Sequence, residues 1–470
     1  MLYPLKVRTM SRDERERRVE QAMADVVLQG NFDEAHAKRY AHVPFEVPPG
    51  VRALHVRYEY SERISSDPLL SGGNTLDIGL FDPRGIAPSS PGFRGWSGSN
   101  KLAFSVTDTW ATPPYLSGAI QPGVWNVLLG PYKVGPRGCE YRVEISFDDV
   151  PGVAGPRPAE AHAAPPALVA VAEPGWLRGD LHCHTLHSDG DSWPAEMLAE
   201  AVRRGLDFLG VTDHNQVGHQ ADYARVRGEH LPILLPGVEV TTYRGHWNAW
   251  GTDRWWEFRE PESAAVSRTM QAAAASGALV SVNHPKPYGP PWEYPDAVGY
   301  HAVEVWNGGW ERQNHVALAW WEQRLRDGYR LVALGGSDTH VLKALDPDRR
   351  HGRSLGAPTT WAMTGGARTP EAVLGALRAG KAFVSRGPDG PQLYLDRAPG
   401  GVRVHVVGAR GAALVLASAE GVGYSASIGS DDWSATPPLT DWPVYLRAQV
   451  MDAHGQMLAL SNPLFGPGSP

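Results

Sequence analysis

The chain has 470 residues, 42% of them hydrophobic and 20% charged, with a formal net charge of −7 and only two cysteines, Cys139 and Cys183. These are the values of an ordinary globular protein, long enough for several domains or one large barrel with appendages. They exclude a disulfide framework and a cysteine-based zinc finger, and the acidic balance offers no basic field for a nucleic-acid backbone. No run of about 18 apolar residues occurs, and Met1 to Gln21 is charged where a leader would be apolar. The expectation is a cytoplasmic protein with no membrane partner.

In chain order, Ser11 to Gly30 has a capping-box start, Ser11 with Glu14, and a glycine stop, which predicts a charged docking helix. From Val43 to Val150 come strand-length pieces separated by Gly, Pro, Ser and Asn: Ala53 to Tyr60, Thr75 to Phe81, Leu102 to Thr107, Val124 to Leu129 and Tyr141 to Phe147. They predict an N-terminal β-sandwich over residues 1–150. Residues 151–175 are rich in Pro and Ala, without period, and read as a linker.

From Leu177 apolar strands alternate with helices, the pattern of an α/β unit. The strands are Leu177 to Cys183, Phe208 to Thr212, Ile233 to Val240, Trp247 to Gly251, Ala278 to Asn283, Ala302 to Trp306 and Leu331 to Gly335. Seven such strands predict a distorted (β/α)7, TIM-like barrel over residues 176–390. A helix opens at Pro194 and stops at Gly205, and another runs from Thr369-Pro370 to Gly380. Residues 391–470 are again strand-like and predict a small C-terminal β domain.

Polar residues of one chemical kind gather at the ends of these strands. His182 and His184 are two apart, so an extended chain points both imidazoles the same way and one ion takes both. Asp338 and His340 repeat the arrangement at the last strand. Between them come Asp189, His214, Glu239, His246 and His284, all N or O donors suited to Zn, Mn or Fe. Twelve of the 18 histidines fall between Asp180 and His351, little over a third of the chain. That clustering outweighs the ordinary reading of a strand-end histidine as merely hydrogen-bonded, which is kept for His219, His230, His301, His315 and His351. The set is large enough for two or three divalent transition-metal ions. Asp180 and Asp213, beside ligating histidines, read as orienting carboxylates.

Gly179-Asp180-Leu181-His182-Cys183-His184-Thr185, Ser188-Asp189-Gly190, Val211-Thr212-Asp213-His214-Asn215, Gly237-Val238-Glu239, Asn283-His284-Pro285 and Gly336-Ser337-Asp338-Thr339-His340 together resemble the PHP (polymerase and histidinol phosphatase) superfamily of metal-dependent hydrolases. The resemblance spans roughly Leu177 to Pro388. It implies the barrel with a di- or trinuclear centre in its mouth: His182, His184, Glu239 and Asp338 on one metal, Asp189, His214 and His340 on a second, and Glu239 bridging to a third on His246 and His284. Gly245-His246-Trp247-Asn248 and Val305-Trp306-Asn307-Gly308 look more like the carbaryl-hydrolase-like branch, which often carries an N-terminal β domain.

The expected activity is hydrolysis of a small-molecule phosphoester by a metal-activated water, with carbamate or carboxylic ester hydrolysis as the alternative. A non-catalytic metal- or carbohydrate-binding protein ranks behind both, because every motif position is filled. Homo-oligomer formation stays open. Arg244, Lys286 and Arg94 are the candidate cations for the developing charge, and His187 is either the acid or a hydrogen-bonding residue, the two readings weighing equally. Arg94, Trp96 and Tyr115, in turn-rich segments, are either an ordinary surface loop of the sandwich or a lid over the metals. Trp247, Trp250, Trp306 and Trp310 are an aromatic supply near the site for an aryl pocket, set against core packing, which explains most tryptophans.

Overall fold

The computed structural model describes residues 24–466 except 68, 149–158, 167–169, 288–289, 343–353 and 440. Most of the regular structure is β. The first eight strands are β1 (Val26–Phe32), β2 (Ala41–Val47), β3 (Ala53–Tyr60), β4 (Thr75–Phe81), β5 (Phe93–Gly98), β6 (Ala103–Thr107), β7 (Gly123–Lys133) and β8 (Cys139–Phe147). They form two antiparallel four-stranded sheets, ordered β1-β8-β3-β6 and β2-β7-β4-β5. Alternating side chains such as Leu54, Val56 and Tyr58 from one sheet and Leu76, Ile78 and Leu80 from the other share one core. This is the expected sandwich. The helix expected over Ser11 to Gly30 lies mostly outside the described residues, and its end is instead β1. Val26 and Leu28 turn toward the sandwich core while Val27 faces solvent, a period of two that pairing with β8 rewards and a helix could not satisfy.

The next strands are β9 (Trp176–Asp180), β10 (Phe208–Val211), β11 (Ile233–Thr242), β12 (Gly245–Trp250), β13 (Leu279–Val282), β14 (Ala302–Asn307), β15 (Val332–Gly336), β16 (Thr359–Met363) and β17 (Ala382–Ser385). The first seven stand side by side in chain order within a large mixed sheet. Pairing is parallel from β9 through β11 and from β13 through β15. Helices Pro194–Arg203 and His219–Tyr223 follow β9 and β10, Ser263–Ala275 follows β12, and Asn314–Arg326 follows β14. The middle departs from a βα repeat: β11 turns directly into β12, which pairs antiparallel on both sides. The physical reason is the tight turn at Tyr243-Arg244, which is too short for a crossover. Just past the ends of β9 and β15 the chain links across, with Asp338 N donating to His182 O at 2.7 Å and His184 N to Thr339 O at 2.9 Å.

On its other side β9 takes β16 as an antiparallel neighbour, and the same sheet continues through β17 into C-terminal strands Met457–Ser461, Tyr445–Met451, Ala413–Ser418 and Gly421–Ser427. A further three-stranded sheet, Gln392–Ala398, Gly401–Val407 and Asp432–Ala435, packs with them over a core that includes Trp361 and Phe383.

The sandwich is not a loose appendage. Phe81, Phe93, Trp96 and Leu128 on its outer face join one apolar cluster with Val238, Val240 and Trp247 of the mixed sheet and with Phe258 from the segment that follows β12. Phe81 is fully buried there. Replacing Phe81 by Ala should cost about 3–5 kcal/mol, the usual penalty for deleting a buried ring. Guanidinium unfolding is the check. A loss below about 1 kcal/mol would show that the two parts are not cooperatively joined.

Candidate metal centre

Beyond β9 the chain bends at Leu181 and bridges to Thr339 at Cys183, and alternation about Cys183 does the first piece of positioning. His182 and His184 point together, ring centroids 5.1 Å apart, while Cys183 turns into the apolar cluster behind. Two buried carboxylates hold this segment. Asp180 accepts from His182 N at 3.1 Å, Ser337 N at 3.0 Å and Gly356 N at 2.7 Å, tying three chain segments together. Asp213 accepts from Thr185 N and Thr185 Oγ1, both at 2.7 Å, and from Ser188 Oγ at 2.5 Å, with His219 Nδ1 at 3.1 Å. Protein donors therefore occupy both carboxylates.

Glu239, from β11, stands at the centre. Its Oε1 is 3.3 Å from His182 Nε2, 3.1 Å from His246 Nδ1 and 3.4 Å from His284 Nε2, and its Oε2 is 2.8 Å from His214 Nδ1 and 3.6 Å from His184 Nε2. Asp338 Oδ1 lies 3.2 Å from His184 Nε2 and 3.6 Å from His182 Nε2. Asp189 Oδ1 lies 3.5 Å from His214 Nε2 and 3.3 Å from His340 Nε2. Within this network three sets have ligand atoms within 4.8 Å of one another: His184, Asp189, His214 and His340; His182, His184 and Glu239; and His214, Glu239 and His246.

The donor set fits divalent cations. His182 Nε2, His184 Nε2 and Glu239 Oε2 are buried, and although other donors crowd within 2.8 to 3.6 Å of them, none among the described residues stands in hydrogen-bonding geometry. A buried polar atom without a partner is costly unless an ion or water completes it. Backbone strain concentrates here as well: Asn215, His284 and Asp338 have φ of 55°, 29° and 53°, the left-handed region that non-glycine residues rarely enter.

The electrostatics are those of a site built around its own charges. Burial opposes ionising Glu239, yet His182, His246 and His214 hold it well below the usual carboxylate range. Burial likewise opposes charging His214, but Asp189 and Glu239 raise it to about 9. His184 goes the other way, pushed down to about 4 by burial and then by His340 and His214.

Asp189, His214 and His246 open onto a cavity of about 760 Å³ whose opposite wall is the sandwich. Arg63, Asp77, Trp96, Asn100 and Tyr132 line that wall. Asn100 Nδ2 and Lys101 Nζ both donate to Ser188 O at 3.0 Å, anchoring the wall beside Asp189.

The structure thus brings together all nine sequence-predicted ligands, but not the four other candidates. His187 is buried with Nε2 2.8 Å from Asp222, and Lys286 Nζ donates to Asn307 O at 3.0 Å and Asn314 Oδ1 at 2.7 Å. Arg94 lies inside the sandwich, donating to Leu116 O and Gly118 O at 3.0 Å, and its guanidinium stands over the Trp125 ring. Arg244 is exposed. None of the four lines the cavity. Of the lid candidates, Trp96 lines it and Tyr115 is buried in the sandwich core. Trp247, Trp250 and Trp306 are packed core.

One residue escaped sequence reasoning. Glu304 accepts from His182 Nδ1 at 2.9 Å, which fixes the tautomer that leaves Nε2 facing Glu239. Its signal was a lone carboxylate amid the apolar residues of β14, whose neighbours Val303 and Val305 turn to the opposite core.

No family model matches the chain. A 5′-3′ exoribonuclease of Haemophilus influenzae is 36% identical over 64 residues, which are 13% of this chain and 23% of that protein. A two-domain protein from Bacteroides vulgatus containing a predicted PHP-like metal-dependent phosphoesterase is 19% identical, with a TM-score of 0.36, over 66% of this chain and 100% of that one. An amidohydrolase from Chromobacterium violaceum with bound sulfate and no metal is 19% identical, with a TM-score of 0.27, over 37% of this chain and 89% of that one. At these TM-scores the activity has to be argued from the site itself.

Glu304→Gln keeps the shape but weakens the hold on His182, and should lower metal affinity about 10–100-fold. Competition with a chromogenic chelator measures it. Unchanged affinity would mean that His182 is not a ligand. Gly336→Ala should do similar harm, because a Cβ there would collide with that of His182.

Proposed function

We propose that this chain is a metal-dependent hydrolase of the PHP superfamily, acting most readily on a small-molecule phosphoester. The observation that carries the reading is the convergence of eight further N and O donors with a buried Glu239, three of the ligand atoms lacking any neighbour in hydrogen-bonding geometry. His182, His184, Glu239 and Asp338 would hold one ion, and Asp189, His214 and His340 a second. His246 and His284, across Glu239, would hold a third. Bound divalent ions would supply Lewis acidity and lower the pKa of a bound water to about 7.

The chain's own residues do the remaining work. Asp180, Asp213 and Glu304 fix the rings before substrate arrives, so that orientation is settled in the fold. The cavity wall keeps the substrate against the ligands and limits the entry of bulk water. Arg63 and Asn100 in that wall suit anionic oxygens, which favours a phosphoester. Trp96 and Tyr132 in the same wall support the second reading, an aryl carbamate or carboxylic ester.

The metal-loaded protein should carry two to three ions per chain by elemental analysis, since nine ligands exceed what one ion of four to six coordination can use. It should turn over p-nitrophenyl phosphate or its diester, with competitive inhibition by inorganic phosphate. Glu239→Ala should abolish turnover and lower metal content together. Efficient cleavage of 1-naphthyl methylcarbamate without any phosphatase activity would overturn the phosphoester reading and leave the metal centre standing. At most one ion after reconstitution would remove the multinuclear one.

A further inference from the structure

Strand β4 carries a carboxylate that the sandwich has no use for. Its side chains alternate: Leu76, Ile78 and Leu80 enter the sandwich core, so Asp77 must face the other way, where it lines the cavity opposite Asp189, His214 and His246. It is buried, and the charged or polar side chains that act on it are Tyr243 and His214, with no lysine or arginine among them. The titratable groups around it are Tyr58 and Tyr60 from β3, Tyr132 from β7, Tyr40, Tyr243 and His214. Tyr40, Tyr243 and Tyr132 stack behind it as a wall, with centroids 4.8 and 5.3 Å apart.

The hydrogen bonds show where a proton sits. Tyr243 Oη is 2.8 Å from Asp77 Oδ2 and 3.0 Å from the Gly130 carbonyl oxygen. A phenol has one proton, and a carbonyl has none to give. Both contacts are full hydrogen bonds only if Tyr243 donates to Gly130 and the Asp77 carboxyl donates to Tyr243. The sequence makes room for this arrangement, because any Cβ at position 130 would collide with the Tyr243 hydroxyl. Burial agrees, raising Asp77 to about 7 against the opposing effects of Tyr243 and His214.

We propose that Asp77, delivered by the N-terminal sandwich, is the general acid of the reaction, giving its proton to the leaving-group oxygen of an ester whose leaving group is a poorly acidic alcohol. The proposal rests on the hydrolase reading above. As water adds to phosphorus, the bond from phosphorus to the leaving oxygen breaks and its electron pair stays on that oxygen. The proton of Asp77 passes to it, so that the product departs as a neutral alcohol. The proton that the attacking water releases restores Asp77 through solvent, and the balance is ester plus water to alcohol plus phosphate. Tyr243 is a positioning residue, presenting the carboxyl with its proton in place.

The test compares Asp77→Asn with the wild type on two phosphoesters, one with p-nitrophenol and one with a simple alkyl alcohol as leaving group. Alkyl ester turnover should fall at least about 100-fold and p-nitrophenyl turnover less than about tenfold, since only the poor leaving group needs the proton. Equal losses on both overturn the general acid and leave the hydrolase reading intact. A wild type that hydrolyses neither ester overturns the general acid and the phosphoester reading together.

A second readout needs no metal and no turnover. The metal-free wild type at neutral pH should show an infrared band of a protonated carboxylic acid that Asp77→Asn removes, or Asp77→Ser should the asparagine variant not fold. A folded-state pKa raised above that of the unfolded chain means stability falls as pH rises from about 4 to about 7. The variant should flatten that fall in melting temperature. No such band, together with an unchanged pH slope, also overturns the proposal.

Discussion

Everything at this site depends on one buried carboxylate. Glu239 has almost no contact with solvent, and an isolated charge there would be costly. It is tolerable because five imidazoles surround it, those of His182, His184, His214, His246 and His284. Those imidazoles come from different strand ends, so the carboxylate has its partners only in the folded chain. The centre and the fold are therefore one problem. Asp180 and Asp213 solve the rest of it by spending their oxygens on backbone and hydroxyl donors, which keeps the ligand-bearing segments in register.

A second constraint is the joint between the two β units. Phe81, Phe93, Trp96 and Leu128 leave the sandwich's own core and enter a cluster with the mixed sheet, so the cavity wall is held by apolar packing rather than by a tether. The consequence is chemical as well as mechanical. The same β4 alternation that sends Phe81 into the joint sends Asp77 into the cavity, and Tyr243, from the turn between β11 and β12, reaches back to meet it. The two units thus share a hydrogen-bond chain beside the proposed ligands.

Among the described residues no helix is long and apolar enough to cross a membrane, in line with the absence of an apolar run in the sequence. The N-terminal β unit forms one wall of the cavity and supplies Trp96 and Tyr132 to its lining, alongside Tyr243. Trp247, Trp250 and Trp306 pack as core instead, because their neighbours in the strands already face inward on both sides.

The sequence by itself determined what local chemistry can determine. The strand-length pieces Ala53 to Tyr60 and Thr75 to Phe81, bounded by turn residues, pointed to sandwich strands, Pro194 and Thr369-Pro370 opened helices where expected, and the spacing of His182 with His184 fixed their common direction. The nine candidate donors were legible because metals demand N and O donors, and these gather at strand ends. Only the tertiary structure decided which residues stand opposite them. Arg94 and Lys286 carry the right charge for a catalytic role, yet other parts of the fold hold them. Glu304 and Asp77 carry no motif, and meet His182 and Tyr243 across separations of 122 and 166 residues. Such pairings depend on sheet order and on how two β units dock. Neither leaves a local period in the chain, because both are set by apolar faces that only packing brings together.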